Sequence, residues 1–417
     1  GSFYRPDGLL ANSKLKWETT ISRNFGIDFG FLNNRVNGSL EVYWNTTKDL
    51  LMAVPVDNTT GYSYQFQNFG KTSNRGIELS VNVDVINKGD FRFNVGAIYN
   101  YNRNKLDELP NADQYLYSSY WGSSSLVPTN DYMFVEGKAI GLVRGFISEG
   151  YYTVDDFNYT NGQYVLKEGV PDITKALTAT YMHPYDLPAG QTAFPGAAKF
   201  RDVDESGTVD LDDATCLGEV MPRHTGSFQL NFNYKNFDLS TNFNWTAGGK
   251  VYNVAAMINA SGQEFDGIGA QRASWVADAF KVYNVNAAGD LYAVTNPDEL
   301  RALNANAKYH LPYHQSGITS SEWLENGSYL RLQTLTLGYT LPKNWLTKVH
   351  VDKIRLYLTA TNLFTITGYS GIDPEVNANP TGQSGFYSDL RIFPTLNMDF
   401  GTYPRARTFT FGANITF

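Results

Sequence analysis

An acidic segment near the middle of the chain has the residue types and spacing of a calcium-binding loop. From 202 to 213, oxygen-bearing side chains stand at positions 1, 3, 5, 9 and 12, with Gly207 at position 6 and an apolar residue at position 8. Hard oxygen ligands around a turn that glycine permits suit Ca²⁺, and this is the EF-hand spacing. The candidate metal ligands are Asp202, Asp204, Ser206, Thr208, Asp210 and Asp213.

Two departures from the EF-hand pattern predict weak binding. Position 12 is Asp213 rather than a bidentate glutamate, and position 5 is the neutral Ser206. Flanking helices are not evident, so the segment would be an isolated loop. The alternative is an acidic turn held by Asx-type hydrogen bonds. A bound ion would brace a long loop rather than catalyse a reaction.

Other candidates for chemistry are weaker. His310 and His314 stand at i and i+4, but Pro312 between them disfavours the helix that would present both to zinc. No glycine-rich phosphate loop, nucleophile elbow or HExxH motif is found, so we do not expect an enzyme. Aromatic residues of the predicted loops would stack on sugar rings or, more commonly, pack the loops or a partner interface. These residues are Tyr115, Tyr117, Tyr120, Trp121, Trp275 and Trp323.

The composition of the 417 residues favours strands with one apolar face. Aromatic residues make up 15% of the chain, whereas charged residues make up 18%, below the ~25% usual in soluble domains. The net charge of −8 argues against nucleic-acid binding, and Cys216, the single cysteine, excludes an intrachain disulfide. No stretch approaches the ~20 apolar residues of a membrane helix, but a barrel strand needs only ~9–11 residues with alternate apolar positions.

Apolar and polar residues alternate with period two, which predicts strands with two different faces. The alternation is clearest at 75–87, 90–104 and 225–248. In the first segment it predicts an apolar face made of Ile77, Leu79, Val81, Val83 and Val85. The opposite face is expected to line a lumen, against a plug, water or substrate. The lumen-facing residues would be Glu78, Asn82, Asp84, Arg92, Asn94, Asn231 and Asn242.

The predicted strands are long and are joined alternately by tight and long links. Most exceed the ~5–6 residues of soluble strands. Short turns on one side and long loops on the other are typical of outer-membrane barrels. If the long loops are extracellular, the last strand runs inward and the C-terminus is periplasmic. The predicted strands are 20–33, 35–51, 72–86, 90–104, 225–235, 237–248, 328–341, 353–364 and 405–417.

The fold class is therefore all-β, a segment of a transmembrane antiparallel β-barrel with about 9–11 strands. Bacterial barrels normally have an even strand number, and the chain begins Gly1-Ser2 without a signal peptide, so we expect a barrel cut inside a surface loop. The segments 140–152 and 197–203 are candidates for an extra strand pair. The predicted layout is a loop remnant at 1–19, strands at 20–104, a long loop at 105–224, a hairpin at 225–248, a long loop at 249–327 and last strands at 328–417.

The last strand carries a specific signal. Phe409, Phe411 and Phe417 fall on one face, and the chain ends in that phenylalanine. A terminal Phe that closes an alternating strand resembles the signal read by the barrel-insertion machinery of outer-membrane proteins. The alternative is an ordinary last strand.

Several segments together resemble one family, in order and over nearly the whole chain. These segments are similar to the C-terminal part of the SusC/RagA family of TonB-dependent outer-membrane transporters. The segments are ANSKLKWETTISRNFGIDFGFLNNRVNGSLEVYWNTTKDLL from position 11, GYSYQFQNFGKTSNRGIELS from 61, KFRDVDESGTVDLDDATCLGEVMP from 199, YKNFDL from 234, NGSYLRLQTLTLGYTLP from 326, IRLYLTATNLFTITGYSGIDPEV from 354 and YPRARTFTFGANITF from 403.

The resemblance implies a 22-stranded barrel filled by an N-terminal plug, a TonB-binding segment, and a SusD-like surface lipoprotein that forms a hinged lid. It implies import of oligosaccharides or oligopeptides across the outer membrane of a Gram-negative bacterium, driven through TonB. The plug, the TonB segment and the early strands would be supplied by the missing part of the protein or by a separate chain. Two alternatives stay open: a passive outer-membrane barrel or structural protein, and a secreted glycan-binding β-sandwich.

Overall fold

The computed structural model describes residues 9–62, 64–68, 70–109, 114–119, 126–178, 183–261, 273–312, 317–346, 351–376 and 396–417. Its main feature is an antiparallel sheet of nine strands, here called the wall sheet. Each strand pairs with the next one of the series along the chain. The strands are β1 Thr19–Phe31, β2 Val36–Lys48, β3 Lys71–Lys88, β4 Phe91–Glu108, β5 His224–Tyr234, β6 Phe237–Ala247, β7 Tyr329–Thr340, β8 Lys353–Thr367 and β9 Thr408–Thr416.

The nine strands predicted from the sequence are confirmed within a few residues at each end. Tight turns join β1 to β2, β3 to β4 and β5 to β6, and they use left-handed backbone conformations at Asn33, Asn34, Gly89 and Lys235. Asparagine and glycine accept this conformation at low cost, which is why they punctuate the alternating segments. At the opposite end of the sheet the connections are long, so the predicted asymmetry is also confirmed.

Cross-strand register sorts the side chains into an apolar face and a polar face. Val81 lies opposite Gly38 and Ala97, and Phe232 lies opposite Phe93 and Leu239, so apolar residues meet apolar residues along the sheet. The rings of Phe93 and Phe232 stack with their centroids 4.2 Å apart. Neither Val81 nor Phe232 is buried. The apolar face therefore lies open and is not the core of a sandwich, which overturns the secreted β-sandwich hypothesis.

Two predictions about the strands are wrong in detail. The register shifts between Asp84 and Ile86, so a β-bulge at Val85 ends the alternation there, and Ile86 lies opposite Phe93. The candidate extra strand pair at 140–152 and 197–203 does not join the wall sheet. Its residues form the short strands Leu142–Gly145, Ser148–Tyr151 and Ala198–Phe200, which belong to smaller sheets. These strands are too short to cross a bilayer.

The long connections fold into a layer of short elements at one end of the wall sheet, here called the loop layer. No helix among the described residues is long and apolar enough to span a membrane. Its strands are Leu9–Leu10, Leu51–Pro55, Tyr64–Asn68, Gln114–Tyr117, Leu126–Val127, Tyr132–Val135, Leu142–Gly145, Ser148–Tyr151, Phe157–Thr160, Gln163–Leu166, Asp172–Ile173, Ala198–Phe200, Thr208–Val209, Thr215–Glu219, Lys250–Asn253, Tyr283–Val285, Leu291–Ala293, Gly317–Ile318, Leu324–Asn326 and Met398–Asp399. The α-helices of the chain are Lys175–Thr178, Val254–Ser261, Ala273–Asp278, Pro297–Leu303 and, in the turn between β7 and β8, Lys343–Leu346; the 3₁₀-helices are Asn58–Thr60, Val154–Asp156, Leu211–Asp213 and Ser321–Trp323.

The loop layer, not the wall sheet, contains most of the buried apolar residues. One core packs Phe146, Tyr152 and Phe194 against Leu300. This packing joins the connection before β5 to the connection after β6. A second core includes Tyr132, Val143, Tyr252 and Met257. Because these connections bury side chains of their own, they are folded structure rather than extended links.

Candidate functional site

The polar face of the wall sheet brings the predicted lumen residues together. Asp84 lies opposite Asn94, and Asn94 lies opposite Asn231 on the next strand. The Asn94 amide donates to the Asp84 carboxylate at 3.0 Å, and the Ser240 hydroxyl donates to Asn231 at 2.7 Å. Glu78, Asn82, Arg92 and Asn242 share this face by register. Such a face can hydrate a polar solute or contact a plug, but it has no nucleophile–base arrangement.

An ion pair marks the short-turn end of the polar face. The Arg355 guanidinium on β8 donates Nε–H to the Asp238 carboxylate on β6 at 2.9 Å. A polar recess of about 410 Å³ opens beside the pair and is also lined by Lys353 and Asn233. The sequence alone does not indicate this pair. The alternation places both residues on the polar face, but their meeting depends on the register of β6, β7 and β8.

A buried charge network ties the wall sheet to the loop layer. Arg331 on β7 is only 2% exposed, and it donates to Asp373 at 2.5 Å and to Glu375 at 2.9 Å. Its Nε–H donates to the Thr365 hydroxyl at 3.0 Å. Glu375 also accepts a hydrogen bond from Arg405. Buried charges are stable only when paired in this way, so the network fixes the segment after β8 against the sheet.

The structure brings three of the predicted calcium ligands together. Carboxylate oxygens of Asp202, Asp204 and Asp213 lie within 4.8 Å of one another. Asp202 accepts hydrogen bonds from the backbone N–H groups of Ser206 at 3.1 Å and Gly207 at 2.7 Å. The buried Asp213 accepts from the backbone N–H groups of Val203 at 2.5 Å and Asp210 at 2.8 Å. Oxygen-only donors suit a hard cation, and the same carboxylates also serve as caps for the turn.

The acidic segment is held by strands and not by helices. It follows the strand Ala198–Phe200 and precedes Thr215–Glu219, and within it Thr208–Val209 pairs in parallel with Asp172–Ile173. Gly207 has a φ of 87°, as the turn requires. Strands therefore flank the segment and flanking helices do not, as expected, whereas calcium binding stays a prediction.

Of the two histidines considered as zinc ligands, only His310 lies among the described residues. His310 is buried beside Trp275, with ring centroids 5.0 Å apart, and its Nε2 lies 3.9 Å from a Glu322 carboxylate oxygen. Burial lowers the pKa of His310 to about 4 and raises the pKa of Glu322 to about 7. Both shifts favour the neutral form of the group concerned. His314 lies outside the described residues.

The predicted loop aromatics mainly pack the loop layer. Tyr117 is 4% exposed, and Trp275 and Trp323 are each 6% exposed, so these three rings do not face solvent. Tyr115 packs against the same core. Tyr120 and Trp121 lie outside the described residues. The packing alternative is therefore the correct interpretation for the rings that are described.

A groove of about 480 Å³ in the loop layer is not indicated by the sequence. It lies between the hairpin 157–166 and the helix Pro297–Leu303, and its lining includes Tyr159, Tyr164 and Arg301. Tyr159 is 42% exposed. The Asn161-Gly162 turn could have indicated this hairpin, but nothing in the sequence brings residue 301 beside it.

Comparisons with known proteins match this architecture. A family model described as "TonB dependent receptor-like, beta-barrel" matches residues 2–363. The chain is 30% identical over 409 residues to TonB-dependent receptor P3 of Formosa agariphila, a match that covers 98% of this chain and 35% of that protein. It is 27% identical over 416 residues to TonB-dependent receptor SusC of Bacteroides thetaiotaomicron, covering 97% of this chain and 32% of that protein.

Among solved structures, the RagAB peptide transporter is similar to this chain with a TM-score of 0.65 and 22% identity. The alignment covers 97% of this chain and 36% of that chain. At this identity the likeness shows the fold alone. The chain spans about a third of the length of the curated relatives it matches.

Proposed function

Because this chain belongs to the TonB dependent receptor-like β-barrel family, we propose that it supplies barrel wall and surface loops to a SusC-like importer in the outer membrane of a Gram-negative bacterium. The wall sheet would face lipid with its apolar face and the lumen with its polar face. The loop layer would lie outside the cell, and the C-terminus would be periplasmic. The chain would act in transport and not as an enzyme.

One observation carries this proposal: the middle of the apolar face is uncharged and open on nine consecutive strands. Ile27 is 50% exposed and Leu358 is 44% exposed, although they lie on opposite halves of the sheet. Exposed apolar area of this extent is costly in water but is required of a surface that contacts lipid. The polar opposite face is then the only side of the sheet on which a hydrophilic cargo can pass.

The cargo would be an oligosaccharide or an oligopeptide, and the lid would be a SusD-like surface lipoprotein. The similarity to SusC and to the RagAB peptide transporter supports these two cargo classes and such a partner. The plug and the TonB-binding segment would lie in parts of the protein beyond the residues in this chain. Energy from TonB would reach the cargo through that plug, with this chain forming the static wall.

Uptake by cells that carry the native protein tests the transport function. We expect cells to accumulate fluorescent oligosaccharides or oligopeptides only when the gene is intact, and an uncoupler that collapses the proton-motive force to abolish uptake. A lipoprotein partner should copurify with the protein in mild detergent. Uptake that persists at the same rate with the uncoupler would instead identify a passive barrel.

We further propose that the loop from Asp202 to Asp213 binds Ca²⁺ weakly. The expected dissociation constant is on the order of 10⁻⁴–10⁻³ M, because the loop lacks the bidentate glutamate and the flanking helices of high-affinity sites. Calorimetric titration of the purified protein should show one site that Asp202→Asn/Asp204→Asn weakens at least about tenfold. The exposed Asp290→Asn is the matched control. If the loop variant and the control variant gave the same heat of Ca²⁺ binding, the segment would be an acidic turn that does not bind the metal.

A further inference from the structure

Three arginines form one row across the first four strands of the wall sheet. Register places Arg23 opposite Trp44, Trp44 opposite Arg75, and Arg75 opposite Arg103. The row lies on the apolar face, because the next row toward the middle of the sheet contains Val42, Ile77 and Tyr101 in the same register. All three arginine side chains are exposed.

On β4 the row lies beyond the edge of the apolar band and not within it. Along β4, Phe91 and Tyr101 are the aromatic residues at the two ends of the band. Ten residues that rise ~3.4 Å each on a strand tilted by about 40° span roughly 26 Å, close to the ~25 Å of a barrel's lipid-facing band. Arg103 is two residues beyond Tyr101, at the long-loop end. It therefore lies at headgroup height, where a lipid-facing arginine is tolerated.

The arginines lack counter-charges in the part of the chain that the structure describes. Neighbouring lysines are neutralised, since Lys105 lies 3.4 Å from Asp107 and Lys71 lies 2.8 Å from Glu108. None of the three arginines makes an ion pair or a side-chain hydrogen bond among the described residues. The apolar face of β5 to β9, by contrast, carries no charged residue. The positive charge is thus concentrated on the first four of the nine wall strands.

We propose that Arg23, Arg75 and Arg103 bind the phosphate groups of an anionic glycolipid headgroup in the outer leaflet. The proposal rests on the proposed function, because it requires the long-loop end to be the extracellular end. Guanidinium groups match phosphate oxygens with paired N–H donors, and they do so best where water is partly excluded. Adjacent strands lie ~4.8 Å apart, so the row spans about 15 Å, a width that suits one multi-phosphate headgroup or two neighbouring ones.

The test compares lipids retained by the native protein and by two variants of equal charge. The first is Arg23→Gln/Arg75→Gln/Arg103→Gln; the control is Lys88→Gln/Lys235→Gln/Lys343→Gln, which removes three exposed charges at the short-turn end. The probe is purified lipopolysaccharide, with its phosphate-free form as the second arm, and binding is read by native mass spectrometry in mild detergent. We expect the arginine variant to bind on the order of 100-fold more weakly, at roughly fivefold per arginine. The control and the wild type should bind lipopolysaccharide with equal affinity. Both should bind the phosphate-free form more weakly.

Further outcomes separate this inference from the proposed function. If the wild-type protein is absent from the outer-membrane fraction, both fail. If it is present and the arginine variant binds lipopolysaccharide like the control, only the lipid inference is overturned. A change of oligomeric state with unchanged lipid binding would also overturn it, in favour of a protein contact. Arg75→Lys, which keeps the charge and the fold, should retain most of the binding and guards against a misfolded triple variant.

Discussion

Replacing Leu230 by arginine is expected to destabilise the membrane-inserted sheet by about 2–4 kcal/mol, the cost of a lipid-facing arginine at the middle of a bilayer. Leu230 lies on the apolar face of β5, opposite Val95 and Thr241. These positions are near the midpoint between the two aromatic ends of the band. The guanidinium cannot reach either headgroup region without distorting the strand. Urea unfolding in lipid vesicles, followed by tryptophan fluorescence, measures the change.

The matched control is Gln229→Arg, one residue earlier on the same strand. Gln229 is exposed on the polar face, opposite Gly96 and Asn242. We expect this variant to change the free energy of unfolding by less than about 1 kcal/mol, because its new charge faces water. Equal destabilisation by the two arginines would contradict the assignment of the apolar face to lipid.

Replacing Arg331 by methionine is expected to cost about 3–5 kcal/mol, because it leaves the buried Asp373 carboxylate without a cationic partner. Asp373 is 9% exposed and would lose the guanidinium 2.5 Å away, whereas Glu375 would keep Arg405. The loss should appear as a lower unfolding midpoint and as faster proteolysis of the segment after β8. Methionine preserves most of the side-chain volume, so the effect reports on charge and not on a cavity.

Two further variants control for the loss of an arginine. Arg201→Met breaks the exposed pair with Glu149, which is 2.9 Å away, and should cost less than about 1 kcal/mol. Arg331→Met/Asp373→Asn should recover part of the lost stability, since the remaining buried charge is removed. If Arg331→Met were as mild as Arg201→Met, the network would not hold the loop layer to the wall.

The wall strands were predictable because their signal is repeated. Period-two alternation over ten or more residues fixes both the strand and its faces, and tight turns such as Asn33-Asn34 fix the register of the hairpin they close. The bulge at Val85 was not predictable, because one inserted residue changes the alternation only in the residues that follow the bulge. The arginine row was likewise predictable only in part. The tight turn at Asn33-Asn34 implies the Arg23–Trp44 pair, but the Arg75–Arg103 pair depends on the bulge at Val85, and residues 49–70 hide the register that joins Trp44 to Arg75.

The loop layer could not be predicted to the same depth. Its strands have two to five residues, too few for periodicity to be recognised. Trp323 and Tyr117 are as aromatic as any ligand-binding ring, and only their tertiary surroundings reveal that they are buried. The acidic segment was recognisable as a turn from spacing alone, because its carboxylates bond backbone groups within the same short stretch.

The folded state of the loop layer has a consequence for how the sheet assembles. Pairing β4 with β5 must close a connection of residues 109–223, whereas β5 and β6 meet across a two-residue turn. For a flexible tether, that difference would cost roughly 3–4 kcal/mol of chain entropy. The backbone N–H of Asn102, within β4, bonds to the carbonyl of Arg223 at 2.9 Å, so the chain returns to the side of β4 immediately before β5 begins. The packed cores of the loop layer therefore hold β4 and β5 together in the folded state and offset the entropy cost of the long connection.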